Sequence, residues 1–423
     1  METTDPLSMR VRSKPLLPGF HMLVMFVIFT TPFGELLKSA LGFSPAKLIV
    51  PGLFLYLLSV QFGRLKLHPL TGVYSLFVAF TIPSLIIGVD FISVLLSLIG
   101  YIFLFQILFN YSFSLDKIKD LAGTYIAGVF VISSLTLQFF ITGVDFGAQF
   151  GKPFVEIWLG FPIVSGPSNN PNGFASLLLP AVPLTLSFLL TSKTKFGKLL
   201  FSMVMITMLL TLGITFSRSA IAASLFACIA IHHCVKNKSV FSLWLFTKLL
   251  ILLIALIMTA SIFLLIIDFL TADIAGLSGE YSSYSENKEM SGGYRTLVLN
   301  PMLSIALDNL FFGVGFGNVK PLMEALTGLY INSHNTPFGI LMDYGIFALI
   351  FICITVAHSC RNYNTAMKNA DLVENRLFIS SLFIALGAMI FHGLFHEMYI
   401  NLMLWFFIAL GPVVKRSIRH VSS

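Results

Sequence analysis

Between Lys198 and Lys236 lie 37 residues in which Arg218 is the one Lys, Arg, Asp or Glu. As a single helix that stretch would be ~56 Å long at ~1.5 Å per residue, nearly twice the ~30 Å core of a bilayer. With a cation at each end it reads as a tight helical hairpin. Its apex, Ser217-Arg218, then lies across the membrane from both lysines. The pattern recurs near the C-terminus, where 38 residues separate Arg376 from Lys415 and the apex falls at Phe395-His396-Glu397.

Apolar runs of this kind recur from end to end. The chain is 57% hydrophobic and 11% charged, with mean hydropathy +0.90, whereas soluble domains carry about 25% charged residues. The expectation is an all-α polytopic membrane protein of about twelve transmembrane helices. The first six spans are Leu16–Phe33, Ala46–Phe62, Pro69–Gly88, Phe91–Phe109, Leu121–Gly143 and Asn172–Leu190. The rest are Leu199–Phe216, Ser219–Cys234, Val240–Asp268, Thr336–Ala357, Leu377–Phe395 and Tyr399–Val414. Eighteen of the 26 Lys and Arg fall on segments that share a side with the N-terminus, seven on the other side, and Lys248 within a span. By the positive-inside rule the chain is N-in and C-in. Its net charge of +7 then anchors it to the cytoplasmic leaflet and does not form a nucleic-acid surface.

This organisation divides one integral membrane domain into helices of 1–143, helices of 144–269, an outer loop of 270–335 and helices of 336–423. The N-terminal basic segment and first apolar run read as a retained signal anchor. The four cysteines sit in spans or at their inner ends, so no disulfide framework is expected. No internal or inverted repeat is visible.

The large outer loop is the natural place for extramembrane chemistry. It contains "GVGFGN", Gly313 to Asn318, whose alternate glycines suggest a phosphate cradle. That motif needs a βαβ unit, and none surrounds it. Gly313, Gly315 and Gly317 are better read as a tight, backbone-exposed turn between two interfacial helices, 294–312 and 319–330. Arg218 is either an interfacial snorkeller or a functional cation, and Arg295 either a solvated arginine or an anion ligand. His334 precedes Asn335, a good N-cap, with Thr336-Pro337 opening the tenth span. The partial positive charge of that helix start favours anions and a neutral imidazole, as a general base must be. Asp343 lies inside the span, there to pair with another helix or to act.

Three further features have two readings each. His392 and His396 share a helix face beside Glu397 and line an outer cavity, or form a metal pair that lacks a third ligand. "SGPSNNPNGFA" (Ser165 to Ala175, with Asn172) either hydrogen-bonds sugar hydroxyls or only caps a helix. No Asp-x-Asp occurs in the outer loops, so a metal-bound nucleotide sugar is not supported. A glycan on a membrane lipid diphosphate is a donor available outside, and arginines with a helix start would stabilise its leaving group.

Five pieces, "NNPNGFA", "TFSRSA", "YR", "FFGVGFGN" and "HNTPFGILMDYG", run in this order from Asn169 to Gly345. In that order and topology they resemble the bacterial O-antigen ligase and O-antigen polymerase membrane glycosyltransferases. Leu310 stands where that family usually has proline, and Phe338 where leucine usually follows His-Asn; both exchanges leave the polar atoms in place. The resemblance implies a GT-C-like fold and an inverting, metal-independent transfer without cofactors. The glycan would pass from undecaprenyl diphosphate to lipid A–core, or to a lipid-linked repeat unit, at the periplasmic face of the bacterial inner membrane. It implies His334 as catalytic base, Arg218 and Arg295 as diphosphate ligands, and Asn335, Gly313, Gly315 and Gly317 as shapers of the pocket. Asn172, Asp343 and His396 complete the expected site. A chain-length regulator would be a further partner of a polymerase, beside membrane lipids. The competing expectation is a flippase or other polysaccharide transporter, which should show inverted repeats or paired broken helices.

Overall fold

The computed structural model describes residues 18–237, 300–328 and 335–419, apart from 43, 62, 90, 112, 113, 152, 159, 160, 169 and 400. The ninth expected span, Arg295 and His334 lie outside the described residues. The first helices are α1 (Pro18–Thr30), α2 (Gly34–Leu41), α3 (Pro45–Gln61), α4 (Thr71–Ile87), α5 (Phe91–Tyr111) and α6 (Leu115–Thr142). After a β-hairpin come α7 (Pro171–Leu178), α8 (Ala181–Thr191), α9 (Lys195–Ile214) and α10 (Arg218–Asn237). The outer segment contributes α11 (300–308) and α12 (Val319–Thr327). The chain closes with α13 (Thr336–Lys368), α14 (Val373–Gly393) and α15 (Leu402–Arg419).

Helices thus occupy eleven of the twelve expected segments. Among the described residues, seven helical stretches are long and apolar enough to cross a membrane: Gly19–Leu41, Val94–Tyr111, Leu115–Thr142, Pro171–Thr191, Lys195–Ile214, Thr336–Lys368 and Val373–Gly393. Three shorter apolar helices accompany them, Pro45–Gln61, Thr71–Ile87 and Arg218–Cys234. Met22, Ile86, Ile92 and Phe196 are each two-thirds or more exposed, and such a scatter of bare large apolar side chains suits lipid rather than water. The protein is an α-helical, multi-pass membrane protein.

Local signals set the helix ends. Ser114 caps α6 by accepting from the Lys117 N–H at 3.3 Å, and Gly143 ends it in the left-handed region. Thr194 caps α9 through the Gly197 N–H at 3.0 Å. Packing centres on Trp405 of α15, which is fully buried against Tyr74 (ring centroids 4.7 Å), Tyr101 (5.6 Å) and Phe77 (5.9 Å). Its indole N–H donates to the Tyr399 carbonyl at 2.7 Å. Inside a bilayer, apolar burial does not by itself draw helices together, so polar cross-links matter. Ser359 and Tyr363 of α13 supply two, donating to the Ile408 and Phe407 carbonyls of α15 at 2.7 and 2.8 Å.

The segment between α6 and α7 departs from the all-helical expectation. Val155–Trp158 and Phe161–Val164 pair antiparallel, with Val155 opposite Val164. Asp145 organises the approach to this hairpin. Its carboxylate accepts the N–H groups of Gly147 (2.8 Å), Phe154 (3.0 Å) and Val155 (2.9 Å). A short 3-10 turn, Gly166–Ser168, then leads to Asn170, which caps α7 through the Asn172 N–H at 2.8 Å.

Candidate functional site

The apex of the α9–α10 hairpin is where the sequence places it. Ser217 and Arg218 follow the end of α9 at Ile214, and Arg218 opens α10 with its side chain exposed. The two serines that flank the arginine are both tied down. Ser217 Oγ donates to Asn172 Oδ1 at 2.7 Å, and Ser219 Oγ lies 2.9 Å from His392 Nδ1. His392 is wholly buried, and its Nε2 lies 3.2 Å from the Asn172 carbonyl oxygen. A carbonyl can only accept, so Nε2 carries the proton and Nδ1 accepts from Ser219. His392 therefore cross-links α7, α10 and α14 next to the residue that follows Arg218.

The same α14 apex holds the start of α13. Asn335 caps that helix as expected, accepting from the Phe338 N–H at 2.9 Å, while its amide donates to the Leu394 carbonyl at 2.7 Å. Thr336 Oγ1 donates to the His396 carbonyl at 2.7 Å and accepts from the Met398 N–H at 2.8 Å. The residues beside His334 and those beside Arg218 are thus bonded to one short segment, 392–398. His396 lies beyond the end of α14 at Gly393, not on a continuous helical face, yet its ring centroid stays 5.6 Å from that of His392. The two rings do different work: His392 turns inward to the hairpins, and His396 lines an outer cavity.

The glycine turn is a correction. It joins α11 and α12 as expected, but it is not exposed: Gly313, Val314 and Gly315 are buried. They dock against a break in α13 at Gly345, whose φ of 82° and ψ of −177° interrupt the helix. Ile346 gives its N–H to the Leu310 carbonyl at 2.7 Å instead of to Met342. The freed Met342 carbonyl accepts the Val314 N–H at 2.7 Å, and the Asp343 carbonyl accepts the Gly315 N–H at 3.2 Å and the Ser84 hydroxyl. Non-helical backbone at membrane depth is tolerated where protein satisfies it, and here the turn does so. A Cβ on Gly345 would collide with the Phe311 carbonyl, and one on Gly313 with the Asp343 backbone. On the far side, the Phe316 carbonyl accepts the Val89 N–H at 2.8 Å, which fastens the turn to the end of α4.

Asp343 belongs to this second assembly. Its carboxylate accepts the Tyr399 hydroxyl, so of its two readings the pairing with another segment is the one seen. Among the expected residues, the structure brings Asn172, Arg218, Asn335 and His396 around the 392–398 apex. It gathers Gly313, Gly315 and Asp343 at the α13 break, with Gly317 on the same turn. Sequence reasoning missed Ser217, Ser219 and Thr336 as linkers; their hydroxyls gave no signal because their partners lie 45, 173 and 60 positions away.

Residues 175–353 match the family model described as O-antigen ligase. No curated protein matches the chain. A solved chain from work on how a peptidoglycan synthase complex coordinates polymerization and crosslinking is 14% identical, with a TM-score of 0.42, over 82% of this chain and 96% of that one. The matched stretch contains Arg218, the glycine turn, Asn335 and Asp343. Residues 175–353 of this multi-pass membrane protein are thus similar to the O-antigen ligase family.

Proposed function

We propose that the chain transfers a glycan from undecaprenyl diphosphate to a saccharide acceptor, lipid A–core or a lipid-linked repeat unit, at the outer face of the bacterial inner membrane. An acceptor hydroxyl oxygen attacks the anomeric carbon, its proton passes to His334, and the bond from that carbon to the diphosphate oxygen breaks. The carbon inverts, and undecaprenyl diphosphate leaves with its charge held by Arg218 and Arg295. No metal is required for this balance, because two guanidinium groups and the positive end of α13 supply the charge that a cation would.

One observation carries this reading. Arg218 stands exposed between two anchored serines, and the apex that anchors Ser219 through His392 also holds Asn335, the neighbour of His334. A transporter would use the broken helix differently, leaving unwound backbone to coordinate its cargo. In α13 the Met342 and Asp343 carbonyls and the Ile346 N–H are occupied by the glycine turn.

The test is transfer in membranes supplied with lipid-linked glycan. Arg218→Ala and His334→Ala should insert at normal levels yet lose transfer by ~10²–10³-fold, the usual cost of removing a charge-stabilising donor or a general base. Full transfer by His334→Ala would remove the base from the scheme.

A further inference from the structure

Beside α7 the protein carries an open cavity of about 250 Å³. Its polar lining comes from four separate places: Thr31 and Glu35 before and on α2, Ser168 before α7, Ser176 on α7, and His396, Glu397 and Asn401 around the last apex. Part of this lining is already fixed in place. Asn401 donates to Ser176 Oγ at 3.2 Å and accepts the Met403 N–H at 2.9 Å, and Ser176 in turn donates to the Gly173 carbonyl at 2.7 Å. Glu35 forms a loose ion pair, 3.9 Å from Lys38 one turn along its own exposed helix face.

The cavity borders the Arg218 cluster through shared elements. Gly173 lines it, while the preceding Asn172 accepts from Ser217 and His392. His396 lines it, while His392 bonds to the residue that follows Arg218. The two neighbouring regions differ in charge: a guanidinium at one, and at the other two carboxylates, of which Glu35 has Lys38 3.9 Å away. A diphosphate is repelled by Glu35 and Glu397. Sugar hydroxyls are their natural partners, because an ionised carboxylate accepts O–H bonds about twice as strong as neutral ones. At about 250 Å³ the space falls below the ~300–1,000 Å³ of drug-sized pockets and suits one sugar ring or two rather than a chain.

We infer that this cavity is the acceptor subsite, in which Glu35 and Glu397 accept hydrogen bonds from hydroxyls of the acceptor's terminal sugar. This assignment rests on the proposed glycan transfer. It places the attacking saccharide at the carboxylates, next to the α7 residue that bonds the Arg218 hairpin.

Binding to the detergent-purified full chain tests it, with lipid A–core and the repeat-unit saccharide freed of its lipid diphosphate titrated separately, so that neither probe is the donor and no transfer is required. Wild type should bind one of the two as acceptor. Glu35→Gln with Glu397→Gln should weaken that binding by ~10-fold or more, as expected for lost hydrogen bonds to charged groups. Glu374→Gln, the same charge change where Glu374 pairs with Lys193 at 3.1 Å, should bind as wild type does. If the double variant does not purify as folded protein, Glu35→Gln alone is read, at an exposed position where folding is not at stake. Wild-type affinity in the carboxamide variant, or no binding of either probe by wild type, overturns the subsite. Loss of binding in a chelator overturns it too, since the carboxylates would then be serving a cation. An enzyme that transfers glycan normally with a wild-type-like double variant defeats only this cavity. A wild type that transfers none defeats the proposed function.

Discussion

The 392–398 apex and the break in α13 both hold an outer segment against the helices, but by different chemistry. At the apex the links run through side chains: Asn172, Ser217, Ser219, His392, Asn335 and Thr336. At the break they run almost wholly through backbone groups of Leu310, Val314, Gly315, Met342, Asp343 and Ile346. Side-chain links bind the protein to residue chemistry and tolerate replacements that keep a donor or acceptor. Backbone links bind it to shape, and the requirement is that no Cβ intrude. One region is therefore open to graded change and the other is close to all-or-none.

The sharpest way to break that contrast is Gly345→Val. It forces a β-branched residue into the left-handed region and against the Phe311 carbonyl, so a loss of roughly 3 kcal/mol or more and failure to purify as folded protein are expected. A melting temperature within a few degrees of wild type would show that the turn can undock freely.

Acidification tests a third, inner region. His68 lies between α3 and α4, with Nε2 3.0 Å from the Ala409 carbonyl and Nδ1 accepting the Leu70 N–H at 3.1 Å. Burial is the main cause that holds its imidazole down at about 4 from an ordinary 6.5; the Ala409 bond opposes this and His358 adds to it. The unfolded chain binds the proton first, so stability is full above pH 6.5 and falls as the pH drops towards about 4. The loss should reach about 3 kcal/mol at most. A melting curve insensitive to pH across that window would remove the neutral-ring assignment, and His68→Gln should flatten the dependence.

His392→Ala should have the smallest effect on folding of the three. It strands the Ser219 hydroxyl and the Asn172 carbonyl at a cost of ~1–3 kcal/mol and lowers transfer through a displaced Arg218. His392→Asn, which can still bond one partner, should recover part of both. If instead His392→Ala were as damaging as Gly345→Val, the graded and all-or-none regions would not differ.

Much of this scaffold was legible because each span carries its own signal in a run of apolar residues. The same holds for Asn335, whose capping bond to Phe338 lies within four residues of chain, and for the Ser217-Arg218 apex, set by two lysines 38 positions apart. Features defined by distant pairs were not legible. Nothing near Gly345 announces a break, since one glycine in an apolar run is common in membrane helices; the reason for it lies at 310–315. The β-hairpin of 155–164 was not expected, although "VEIWLGFPIV" sets a Leu-Gly pair between two strand-forming runs.

The docking of the glycine turn also has a consequence for biosynthesis. Ribosomes deliver the chain from its N-terminus, so the donors at 314 and 315 exist before the carbonyls at 342 and 343 that they satisfy. The interrupted helix never has to wait in lipid for a partner still to be made. A rearranged gene that moved 310–318 downstream of α13 would reverse that order, and the nascent segment would then close into an unbroken rod that the turn arrives too late to open.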